Sequence, residues 1–221
     1  MTNRGTRRRV VDMLRPEHTA LLIHDMQNDF CTPGGKIFER AAKQPEKIRS
    51  TVTQLAACVE MARQSHVPIV YLQNMHLPNA ADVPPSFLHH LMDSGLANGP
   101  EDIPCIKGTW GHQIVDELRP LTDDIIIEKG AFNDFHNSML DKVLRIRRVE
   151  TVVLTGISTH AGILATAFGL IDHGYEFLIP PECVSGNDPE LEAAAMTLLK
   201  PHVVSLAEIG RGWTAQGRSR R

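Results

Sequence analysis

Short, almost unbroken apolar runs recur along this chain, separated by amphipathic or small-residue segments. The runs are Thr19-Ala20-Leu21-Leu22-Ile23-His24, Val67-Pro68-Ile69-Val70-Tyr71-Leu72, Asp124 to Glu128, Thr151 to Thr155, Glu176 to Pro180 and Val203 to Leu206. A strand with no polar alternation is buried on both faces, and such burial belongs to parallel sheets covered by helices. Between the runs, Pro45 opens a helix whose Ile48, Val52, Leu55 and Val59 share one face. Ser138 to Arg148 reads as a helix burying Met139, Leu140, Val143 and Leu144, and Gly162 to His173 as a helix of small residues. Asp188-Pro189-Glu190 carries the cap, proline and early acid of another helix start. The alternation predicts an α/β fold: a three-layer sandwich whose six-stranded, mostly parallel sheet has helices on both faces.

The chain's 221 residues suffice for one sizeable core. Lys plus Arg (23) nearly balances Asp plus Glu (26), and no basic stripe interrupts the domain, which argues against nucleic acid as a partner. The basic clusters, Arg7-Arg8-Arg9 and Arg218 to Arg221, read as solvated tails. No apolar run approaches the roughly 18 to 20 residues of a membrane span, and the first residues lack the apolar core of a signal peptide. Cys31, Cys58, Cys105 and Cys183 form no C-x-x-C pair, so a reducing, cytoplasmic setting is expected. The expected organisation is a polar arm over 1–17, one domain over 18–210 and a basic tail over 211–221. Within the domain, a proline-rich insert from Asn74 to about Gly111, helical over Ser86 to Ser94, is expected to wall a pocket.

In parallel sheets of this kind ligands bind beyond the carboxyl ends of the strands. The first run ends in Asp25 and the third in Lys129. An acid there is open to strong pKa perturbation, and a lysine on a neighbouring strand can meet it; a structural ion pair would look the same. The fourth run leads through Thr155-Gly156-Ile157-Ser158-Thr159-His160-Ala161-Gly162-Ile163 into a helix. Its backbone N–H groups are ready donors to a developing negative charge, although a tightly packed corner would need the same small residues.

Four segments in register, Leu21 to Phe30, Lys107 to Gly111, Glu128 to Phe135 and Thr155 to Thr166, resemble the isochorismatase-like hydrolase superfamily, also called cysteine hydrolases, across residues 18 to 209. The resemblance implies a six-stranded parallel, Rossmann-like sheet and a homodimer or homotetramer. It makes Asp25 the acid/base and Lys129 the lysine that tunes it. It also implies a non-proline cis peptide between Ile157 and Ser158 at the oxyanion loop. The family's nucleophilic cysteine falls on Gly162, so no thioester can form there. Cys31, near the expected rim, reads as an ordinary loop residue.

Glycine at this position resembles the isochorismatases and related phenazine-pathway enzymes, in which the carboxyl group protonates a vinyl carbon and water attacks the resulting cation. His24-Asp25-Met26-Gln27 and Thr159-His160-Ala161-Gly162 match theirs; Tyr71 to Pro78 and Phe132-Asn133-Asp134-Phe135 do not. The expected function is hydrolysis of a small polar molecule by Asp25 and Lys129 with water, with vinyl-ether cleavage as the first reading. The alternatives are a C–N (amide or ureido) hydrolase in which water replaces the thiol, and an inactive small-molecule binder. Replacing Gly162 by Cys and assaying an amide panel separates the two enzyme readings, a gain of amide turnover favouring the C–N ancestry. Vinyl-ether cleavage needs Asp25 protonated, whereas amide hydrolysis needs it ionised. Gln27, Asn133, His160 and Trp110 are further candidates for orienting substrate or walling the pocket. His76 and His89-His90 lack the Asp-x-His pattern of the family's metal-binding nicotinamidases, so neither metal nor other cofactor is expected.

Overall fold

The computed structural model describes residues 9–218, with side chains through 215. The side chains of Arg7, Arg8 and Arg218 to Arg221 therefore lie outside the described ones. Six strands form one sheet: β1 (Thr19–His24), β2 (Ile69–Asn74), β3 (Ile125–Lys129), β4 (Thr151–Ile157), β5 (Glu176–Leu178) and β6 (Val184–Ser185). Their order is β3-β2-β1-β4-β5, with β6 alongside the carboxyl end of β4, and every pairing is parallel. Both faces of β1 and β4 are buried throughout, as their unbroken apolar runs require.

The helices are α1 (Val10–Met13), α2 (Asn28–Cys31), α3 (Lys36–Ala41), α4 (Pro45–Gln64), α5 (Pro85–Asp93), α6 (Leu140–Ile146), α7 (Leu164–His173), α8 (Pro189–Leu199) and α9 (Leu206–Arg218). Leu21, Ile23, Ile69, Tyr71 and Val153 face a core closed by α1, α4 and α9. Ala20, Leu22, Val70, Leu72 and Val152 face the other, closed by α6, α7 and α8. Strand alternation thus divides each run between two layers. The buried stripe Ile48, Val52, Leu55 and Val59 of α4 is the one its spacing predicts.

Three expectations need correction. The sixth strand is not Val203 to Leu206: Val203 makes one bridge to Ile179, and Ser205 begins α9 by accepting a hydrogen bond from Glu208 N–H at 3.3 Å. That place in the sheet goes to Val184–Ser185. Met139 is exposed, because its helix starts one residue later at Leu140. The domain also extends past both expected boundaries. Leu14 and Trp213 are fully buried, and α1 packs on α9 through the close approach of Leu14 to Gly212.

The insert after β2 carries α5 and its own small core of Leu91, Ala97 and Ile103. A bridge between His76 and Ile106 ties it to the sheet. The insert lies over the carboxyl ends of the strands, where strand order reverses between β1 and β4 and where α/β sheets hold their ligands.

Candidate active site

Asp25 follows β1 directly and takes a left-handed conformation, φ 53°. Consecutive residues of an extended strand point to opposite faces. The left-handed turn brings Asp25 back beside its neighbour, so that His24 Nε2 lies 3.1 Å from Asp25 Oδ2. On the other side, Lys129 Nζ, at the end of β3, lies 2.9 Å from each Asp25 oxygen. Asp134, in the loop after β3, closes the group. Its Oδ2 is 2.7 Å from His24 Nδ1 and its Oδ1 3.5 Å from Lys129 Nζ. Asp134 is held in place by donating its backbone N–H to Thr166 Oγ1 on α7. Two acids and two bases therefore alternate in a buried ring.

The ring sets its own protonation. Burial alone would push Asp25 up, but the charges of His24 and then Lys129 outweigh it and hold the carboxyl below its usual range. Burial opposes charge on His24; Asp134 and Asp25 overcome it and raise the imidazole above its ordinary value. Lys129 is raised by Asp25 and Asp134 against the same burial penalty. Strongly coupled groups titrate as a set, so the proton nearest Asp25 belongs to the His24–Asp25 pair.

Gly162 lies under this ring, in a π-helical turn (Thr159–Ile163) that leads into α7. A Cβ built on it would stand 1.9 Å from His24 Nε2 and 2.5 Å from Cε1. The imidazole fills the space that a side chain at 162 would use. Gly162→Cys made alone, the replacement that would separate the two enzyme readings, collides with His24. Gly156 is constrained similarly, with φ 116° and a notional Cβ 2.1 Å from the His24 carbonyl oxygen, so β1 and β4 meet closely beside the site.

The cavity above the ring measures about 80 Å³. Asp25, Lys129, Asn74, Ser158, His160 and Asn187 give it one polar end, while Phe30, Ile37, Phe87, Leu91, Leu96 and Phe132 make the rest apolar. Ile157 and Gly162 also line it, and the peptide between Ile157 and Ser158 is cis. Ser158 Oγ lies 3.1 Å from His160 Nδ1, and burial keeps His160 below its ordinary value. Asn187 Oδ1 is buried with no hydrogen-bond partner among the described residues.

Three sequence candidates are not brought to the cavity. Gln27 is fully buried and ties loops together, donating Nε2 to Asn74 and His112 carbonyls and accepting at Oε1 from Asn74 N–H. Asn133 accepts from Phe135 N–H and packs against Gly169 of α7. Trp110 is 48% exposed and lies over the turn at Gly34 instead of walling the pocket. Cys31 and Cys105 are buried, and burial pushes both thiols up, away from the nucleophilic form. His76 pairs with Asp82 at 3.2 Å, whereas His90 packs edge-on to Phe132. Among the described residues no group of three His, Cys, Asp or Glu side chains is placed to hold a metal ion, so the donor set does not fit one. No helix among them is long and apolar enough to cross a membrane.

Fold and ring together define an isochorismatase-like hydrolase. Residues 19–209 match the Isochorismatase domain, and the chain belongs to that family. Ureidoacrylate amidohydrolase RutB of Acinetobacter baylyi is 27% identical over 194 residues, covering 85% of this chain and 79% of that protein. A cysteine hydrolase from Pseudomonas syringae pv. phaseolicola has the same fold, with a TM-score of 0.79 over 98% of this chain and all of that one, at 22% identity. An isochorismatase family protein from Desulfovibrio vulgaris superposes with a TM-score of 0.73 at 25% identity, covering 88% of this chain and 97% of that one.

Proposed function

We propose that the protein hydrolyses a small vinyl ether by an acid-first route that uses water and no covalent enzyme intermediate. The observation that carries this reading is the imidazole of His24 in the space over Gly162, which removes the thiol and puts a proton-bearing group against Asp25. Asp25 gives a proton to the terminal vinyl carbon, and the C=C electron pair forms the new C–H bond. Water adds to the resulting oxocarbenium carbon. The hemiketal then loses its alkoxy group as an alcohol, leaving a ketone, and the proton shed by the attacking water returns to Asp25. Lys129 holds the carboxylate in place and stabilises it once its proton has gone. Phe87, Leu91, Leu96 and Phe132 suit an apolar carbon skeleton, with the scissile bond at the polar end.

A C–N hydrolase is the second reading. It is favoured by the direction in which Asp25 is shifted, since a carboxylate held low is a ready base for water, and by the printed activity of the RutB relative. A panel separates the two: isochorismate and simple enolpyruvyl ethers read by pyruvate release, ureidoacrylate, pyrazinamide and N-carbamoylsarcosine read by ammonia release. The proposal expects pyruvate, a kcat/KM that falls as the pH rises past deprotonation of the His24–Asp25 pair, and a loss of about 100-fold or more in Asp25→Asn. Ammonia release with activity rising through the carboxyl titration overturns it in favour of the second reading. Tight ligand binding with no turnover in either arm overturns both.

A further inference from the structure

A simple Asp25–Lys129 scheme leaves two members of the ring without a use, His24 and the Asp134 that anchors it. His24 is fully enclosed between two carboxylates beside a lysine. Its contacts differ at its two nitrogens. Nδ1 is anchored on Asp134 at 2.7 Å, which fixes the ring's orientation, while Nε2 points at Asp25 Oδ2 at 3.1 Å and overhangs Gly162. We infer that His24 is the proton store of the site, occupying the absent nucleophile's position and passing its Nε2 proton to Asp25, so that the carboxyl group which touches substrate is recharged from within the protein.

The step balances. The His24 Nε2–H bond breaks as an Asp25 Oδ2–H bond forms, and that bond breaks in turn as the proton passes to substrate carbon, leaving Asp25 ionised and a neutral imidazole still donating from Nδ1 to Asp134. After water adds, the proton lost from the adduct returns through Asp25 to Nε2. Before and after turnover the ring holds the same number of protons. The arrangement resolves a conflict that Asp25 alone would face. A carboxyl kept ionised by a lysine is a poor acid, whereas one coupled to an imidazolium 3.1 Å away draws on a proton without having to carry it at rest. The charged groups facing His24 are Asp25 after β1, Lys129 on β3 and Asp134 in the loop beyond it. His24 acts through Asp25 and is in that sense a positioning residue.

The catalytic part of this inference rests on the acid-first reading above, and its test is chosen to stand apart from any substrate. Long-range proton–nitrogen spectra of the imidazoles are recorded on full-length, nitrogen-15-labelled protein between about pH 5 and pH 9, the span in which histidine normally titrates. His24→Gln assigns the resonance, and if that variant does not fold, the shifts in Asp25→Asn and Asp134→Asn assign it. The inference expects both His24 nitrogens to stay protonated above the ~6.5 of a free histidine, with Nε2 losing its proton first and the titration moving down in Asp25→Asn. A His24 that is neutral across the range, or one indifferent to Asp25→Asn, overturns it whatever the panel shows. Where the panel yields a vinyl-ether substrate, His24→Gln is expected to lower kcat by about 100-fold with KM nearly unchanged and to move the alkaline limb of the pH profile. An unmoved limb also overturns the inference. A panel that fails beside the expected titration sinks the reaction reading and leaves the proton store standing.

Discussion

Position 162 tolerates only hydrogen because the imidazole of His24 already fills the volume beyond its Cα. Gly162→Ala is expected to destabilise the protein by about 1–3 kcal/mol, the usual penalty for overpacking a close-fitting core, as measured by urea unfolding. His24→Val combined with Gly162→Ala should cost less than the sum of the two single changes. A double-mutant cycle that adds within about 0.5 kcal/mol would show the two sites to be independent. Asp25 and Lys129 are readable from sequence because each charge follows an apolar run at the sheet's ligand-binding edge. His24 and Asp134 are not. Alternation along a strand sends residues 24 and 25 to opposite faces, and only the left-handed turn at Asp25 reunites them. Asp134 lies five residues past Lys129 in an irregular loop, where spacing carries no directional information.

Among the elements, the strands were legible and the chain's ends were not. Continuous apolar runs mark buried strands, but Val203 to Leu206 has the same composition while the Ser205 hydroxyl starts α9 by accepting from Glu208 N–H and donating to the Glu208 carboxylate. A Ser-x-x-Glu pattern was the available signal. The helix it opens carries Trp213 into the core layer shared with α1 and α4. Trp213→Ala is expected to cost about 3–5 kcal/mol, read as a lowered urea midpoint with an unchanged slope. Truncation after 210 should be at least as damaging, and a truncated chain as stable as the full one would restore the expected boundary at 210. On the insert, Phe87 packs against both His76 and Phe132 at the cavity wall. Phe87→Ala should raise KM for any panel substrate while sparing kcat, since it touches none of the ring. An equal fall in kcat would instead place Phe87 beside the reacting atoms.

At the scale of the whole molecule, a buried ring of four ionisable groups makes folding depend on pH at two edges. His24 is raised in the folded state, so its contribution is complete below about 6.5 and is lost as the pH climbs through the raised value. Asp25 is lowered, so its contribution is complete above about 3.8 and is lost as the pH falls through the lowered value. Urea midpoints are therefore expected to decline as the pH climbs from about 6.5 through the raised His24 value, with a smaller decline in His24→Gln. Equal alkaline slopes in the two proteins would assign the decline to other groups.

The exclusion between His24 and residue 162 also orders history. A thiol at 162 and an imidazole at 24 compete for one volume on this backbone, so an ancestor with both has to shift the imidazole from its place between Asp25 and Asp134. The less strained intermediate is the emptier one, small at both positions. It carries a cavity in place of a clash and leaves Asp134 without its imidazole partner. Crossing between the two chemistries is therefore expected to run through a weakened ancestor that retains Asp25 and Lys129 and has neither imidazole nor thiol, and a reconstructed ancestor stably holding both would overturn that order.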